Sequence, residues 1–85
     1  MKTRHDIGDI LTFTKNNTQQ YCYVYDLTAK FTPKVRPLLL DDNGDYITSK
    51  YDKTLHWSSK NNAWQIYGFP VSKTEEIITF RYYRE

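Results

Sequence analysis

The stretch DDNGDY, residues 41–46, constrains the fold more than any other part of this chain. Asn43 and Gly44 both tolerate positive φ, and they stand between two runs of strand-forming residues, PLLL and YIT. That combination is the short-range signature of a β-hairpin. A hairpin implies antiparallel pairing, and the rest of the chain agrees. No segment of useful length repeats its apolar residues with the period of an amphipathic helix. The nearest candidate is SKTEEII, where Ser72 stands as an N-cap and Glu75 at the capping-box position. It runs straight into the β-branched and aromatic ITFRYYRE, so at most one short helical turn is expected near Ser72–Glu76.

The remaining segments read as strands and turns. IGDILTFT (residues 7–14) is a first strand, KNNTQQ (15–20) a polar turn, and YCYVYDL (21–27) a second strand. AKFTPKV is a bent connection in which Pro33 disfavours a central strand, and RPLLLDD is a short strand whose Pro37 points to an edge or a start. YITSKY returns from the hairpin. A short strand at 55–58 and a longer one at 63–69 flank a second hairpin turn, SKNN. GFPVSK interrupts the chain again, and EIITFRYYR closes it. Six or seven short strands with turn signals every ~8–12 residues describe an all-β domain. The expected architecture is a small antiparallel barrel or sandwich, SH3-like or OB-like. GDI at residues 8–10, followed by an alternating strand, resembles the first strand of SH3-like barrels over fewer than ten residues.

At 85 residues the chain is a single β-rich domain, 1–85. A chain this short buries only about 60–65% of its unfolded surface, so one small core is all it can hold. The aromatic content of 16% compensates, because each aromatic buries a large area. Net charge is +2, mildly basic and well short of a dedicated histone-like binder. The single cysteine, Cys22, rules out an internal disulfide and favours a reducing, cytoplasmic setting. The N-terminal MKTRHDIGDI is too polar for a secretory signal, and no apolar run reaches membrane-spanning length. Asn16-Asn17-Thr18 reads as a polar turn, not as a glycosylated site.

Alternation assigns faces. Leu11 and Phe13 point inward, as do Trp64 and Ile66, and Ile78, Phe80 and Tyr82 share one parity that forms a natural core face. YCYVYDL leaves two options. With Cys22 and Val24 inside, Tyr21, Tyr23 and Tyr25 form an outward ladder. With the tyrosines inside, Asp26 gains water, which matters because an unpaired buried carboxylate is costly. Cys and Val are the more often buried types, so an outward ladder, exposed or half-exposed, is favoured.

The catalytic inventory is thin. The histidines are His5 and His56; a Cys22–His56 nucleophilic pair is conceivable, but Cys22 sits mid-strand with nothing nearby in sequence to lower its pKa. One Cys and two distant His give no metal spacing, and DDNGD lacks the alternating ligands and terminal Glu of a calcium loop. No cofactor motif is present, and the chain is read as a non-enzyme. The surplus aromatics instead point to binding. Tyr21, Tyr23 and Tyr25, together with Arg81, Tyr83 and Arg84 of FRYYRE, are the candidate contact residues, since Tyr and Arg are enriched at interface hot spots. The expected function is a non-catalytic binding module or small inhibitor that engages a protein partner, or a second copy of itself, through this Tyr/Arg face. Richness in Lys, Asn, Ile and Tyr, encoded by AT-rich codons, fits a phage or mobile-element accessory protein acting on host defence. The alternative is a small barrel that binds single-stranded nucleic acid by stacking and phosphate neutralisation.

Overall fold

The computed structural model describes residues 2–84. They form ten strands and no helix: β1 (Ile10–Lys15), β2 (Thr18–Leu27), β3 (Pro33–Leu40), β4 (Tyr46–Thr48), β5 (Lys53–Thr54), β6 (His56–Ser58), β7 (Ala63–Ile66), β8 (Phe69–Pro70), β9 (Ser72–Lys73) and β10 (Phe80–Arg81). Seven strands make a large sheet in the order β10-β4-β3-β2-β1-β9, with β5 added to β3, and β6-β7-β8 make a small one. All pairings are antiparallel except β10 on β4. Neither sheet closes into a barrel.

The turns explain where strands begin and end. Asn16 and Asn17 both have positive φ, 53° and 63°, so the β1–β2 connection is a two-residue primed turn. Most of the expected polar turn KNNTQQ is therefore strand, with Lys15 paired to Thr18. The hairpin at residues 41–46 forms as expected but with a wider loop. Only Gly44 has positive φ there. Asp41 organises the loop, its carboxylate accepting the amides of Asn43 and Asp45, each at 2.9 Å. A second two-residue turn, Tyr67-Gly68, has positive φ at both positions and splits the expected 63–69 strand into β7 and β8.

Two proline expectations are corrected. β3 is not an edge strand: it lies between β2 on one side and β4 and β5 on the other, with Pro33 fully buried at its start. The carbonyls of Pro33 and Pro37 accept Leu55 N at 3.0 Å and Ser49 N at 2.7 Å, on the side away from β2. In an extended strand a residue's nitrogen points the same way as its carbonyl. The missing N–H of Pro33 therefore faces the β5 side at the very start of β3, that of Pro37 faces the interval where β3 changes partner from β5 to β4, and the β2 ladder loses nothing. The closing segment also differs. Ser72 and Lys73 are a strand paired to β1, not a helix cap, and only Phe80–Arg81 of the closing run is strand.

The core lies between the two sheets. Leu11, Phe13, Cys22, Val24 and Val35 from the large sheet meet Leu55, Trp64, Ile66 and Val71, with Trp57, Phe69 and Leu27 packed around them. Trp57 and Trp64 are cross-strand partners in edge-to-face contact, 5.3 Å between centroids. Cys22 and Val24 thus face inward, as the more buried residue types should. Asp26 would follow them by alternation, but the β2–β3 register slips by one residue between Val24 and Asp26. This bulge at Tyr25 turns Asp26 to solvent and returns Leu27 to the core. Among the described residues no helix is long and apolar enough to cross a membrane.

Candidate protein-binding face

The opposite face of the large sheet carries the tyrosines. Tyr23 pairs with Arg36, Leu38 with Thr48, Leu40 with Tyr46, and Tyr46 with Phe80. Cross-strand partners share a face. Tyr21, Tyr23, Arg36, Leu38, Leu40, Tyr46, Thr48 and Phe80 therefore form one layer, and the bulged Tyr25 joins it.

This layer is roofed by the chain itself. β9 lies at one edge of the sheet and β10 at the other. Residues 74–79 form a strap that crosses from edge to edge over the tyrosines. Glu76 on the strap accepts the Tyr21 hydroxyl at 2.7 Å. Tyr23 is flanked by Phe80 at 4.8 Å and by Tyr82 at 5.5 Å, the latter edge-to-face. Past the strap, Tyr83 N donates to the buried Thr48 hydroxyl at 2.9 Å. Tyr21 and Leu38 end up buried, Tyr23 and Tyr25 half-buried. The ladder faces away from the core as alternation predicts, Tyr23 and Tyr25 half-exposed, but with Tyr21 buried it is the floor of a second, thinner packing layer.

Internal partners fix these side chains. The hydrogen bond to Glu76, aided by burial, raises the Tyr21 hydroxyl to about 12. Burial and a hydrogen bond donated to Asp52 raise Tyr25 to about 12 and lower the Asp52 carboxyl. Lys34 and Arg36 lie over the Tyr25 ring at 5.8 and 5.2 Å. Burial and a hydrogen bond with Tyr23 raise Tyr82 to about 12. Arg81, opposite Ile47, points away from the tyrosines and donates to Asp41 at 2.7 Å, holding that carboxyl below its usual range. Arg84 is exposed. The structure thus unites Tyr21, Tyr23 and Tyr25 in one layer, ties the Tyr83 backbone to Thr48 of that layer, turns Arg81 away from it, and leaves Arg84 exposed.

What the layer offers to solvent is a different set. Ile77, on the outer side of the strap, is 96% exposed, Leu40 is 62% exposed and Tyr82 48%. Beside Leu40 a groove of about 220 Å³ opens where β2 and β3 part, lined by Tyr21, Leu38, Leu39, Leu40 and Tyr46. Sequence reasoning missed Leu40, Ile77 and Arg36 as surface candidates. The alternation of β3 contained the signal for Arg36, but it needed the Tyr23–Arg36 register to be read. On the core side, burial raises the Cys22 thiol to about 12, which makes it a poor nucleophile. Among the described residues no group of three or more His, Cys, Asp or Glu is placed to hold a metal. Compared with known protein families, curated proteins and solved structures, the chain matches none.

Proposed function

We propose that this protein is a non-catalytic binding module that docks a protein partner on its strapped face. The observation that carries the reading is the exposed apolar pair, Ile77 and Leu40, set on the same side as Tyr82 and Arg36. Exposed apolar side chains rimmed by Tyr and Arg are the composition of interface hot spots. The layer beneath is held by the Tyr21–Glu76 and Tyr25–Asp52 bonds, so little ordering remains to be lost on association. An accessory protein of a phage or mobile element, acting on host defence in the host cytoplasm, fits the richness in Lys, Asn, Ile and Tyr and the lone cysteine. A locus among housekeeping genes counts against that extension.

The test compares the wild-type chain with Ile77→Asp/Leu40→Asp. Both side chains are exposed, so the melting temperature should stay within a few degrees, which circular dichroism checks. Light scattering reports self-association, and quantitative capture from host lysate reports a heterologous partner. The expected result is a defined protein, or a second copy, bound by the wild type and lost from the variant. An unchanged binding profile with a folded variant overturns the proposal.

A further inference from the structure

The end of the molecule where the N-terminal segment crosses holds a second surface, made of different residues. Trp64 Nε1 donates to the carbonyl of Thr3 at 2.6 Å and pins the segment down. Lys2 then lies over the Trp64 ring at 5.5 Å, and Arg4 over the Phe31 ring at 4.4 Å. Between them is a groove of about 220 Å³ lined by Lys2, Thr3, Arg4, Lys30, Phe31 and Trp64. Three of the six carry positive charge and none carries negative charge. Asp6, the nearest paired acid, reaches Arg4 at 3.5 Å from outside the lining.

Phe31 is the unusual member. It is 51% exposed and has φ of 61°, a conformation that bulky side chains rarely adopt. The turn that holds it is closed by four hydrogen bonds centred on Thr28. Thr28 N donates to Thr32 O at 3.0 Å and Phe31 N to Thr28 O at 2.9 Å, while the Thr28 hydroxyl accepts Lys30 N at 3.3 Å and Thr32 N at 3.1 Å. The fold thus holds a strained backbone under an aromatic ring that packs against the Arg4 guanidinium and is otherwise open to solvent. Backbone strain of this kind is a pointer to a site.

We propose that this groove binds single-stranded nucleic acid, one base stacking at Phe31 while Lys2, Arg4 and Lys30 neutralise neighbouring phosphates. An exposed ring within a cluster of cations is the arrangement that single strands use, because every base has a face to stack and every linkage a charge. An acidic peptide would satisfy the cations but would make no use of the part of the Phe31 ring that Arg4 leaves open. A duplex keeps its bases stacked on one another and cannot offer a face to a ring set in a groove. The site uses no residue of the strapped face, so the two proposals stand or fall separately.

The test is fluorescence anisotropy of a labelled oligothymidine with the full chain, set against a duplex of equal length and a thymidine mononucleotide as competitors. With three phosphate contacts the slope of log affinity against log salt should be about −2, a loss of roughly twentyfold between 50 and 200 mM salt. Phe31→Gly should keep the fold, since glycine accepts the positive φ, and should weaken binding about fivefold or more. Lys30→Gln should flatten the slope by about 0.7 and serves even where the glycine variant fails to fold. No binding at 50 mM salt overturns the proposal. So does a duplex or mononucleotide that competes as well as the single strand, or a slope that Lys30→Gln leaves unchanged.

Discussion

His5 is buried beside Asp6, Asp9 and Lys73. Burial, the largest influence, pushes its pKa below 6.5, against the opposing pull of Asp9. The native state therefore binds fewer protons than the unfolded chain just below pH 6.5. The stability tied to neutral His5 is fully present above that pH and is lost as the pH falls through the folded value. Melting curves at pH 7.5 and at mildly acidic pH should show a larger drop for the wild type than for His5→Gln. Equal drops would mean that the imidazole takes on its proton in the fold without cost. Asp26 teaches a complementary lesson at the same scale. Its position in the alternation counted against placing Cys22 and Val24 inside, and the single-residue bulge at Tyr25 removed the conflict.

Among elements, the strap decides what the tyrosine face is. Its anchor is Phe80, half-buried on Tyr23 and paired with Tyr46. Phe80→Ala should cost roughly 1–3 kcal/mol, less than a fully buried phenylalanine, as measured by denaturant unfolding. It should also leave Tyr21 and Tyr23 more accessible to a fluorescence quencher. A neutral result would show that the strap is held elsewhere. The strands themselves were largely legible, because alternation and turn residues are local properties. Leu11, Phe13, Trp64 and Ile66 pointed inward as alternation required. The central place of β3 and the strap were not legible. Prolines report only that an N–H is missing, and which neighbour would have received it depends on strands far away in sequence. For the same reason Tyr82, a core residue by parity, lies half open at the strap's end.

For the molecule as a whole, three tyrosine hydroxyls are raised from 10 to about 12, namely Tyr21, Tyr25 and Tyr82. A pKa raised in the fold gives stability that is complete below pH 10 and is lost as the pH climbs towards 12. The melting temperature should therefore fall steeply in that window, while Tyr21→Phe, which has no proton to lose there, should flatten the decline. A parallel decline in both proteins would remove Tyr21 from the account. The strap has one more consequence, in the order of assembly. It joins residues far apart along the chain, such as Tyr21 with Glu76, and it pairs with both edges of a sheet that must already exist. Its loop-closure cost falls due before its contacts return anything, which places docking late, after the β1–β4 meander has formed. Contacts made that late govern how fast the native state opens more than how fast it is reached. The roof over the tyrosines thus works as a latch on unfolding.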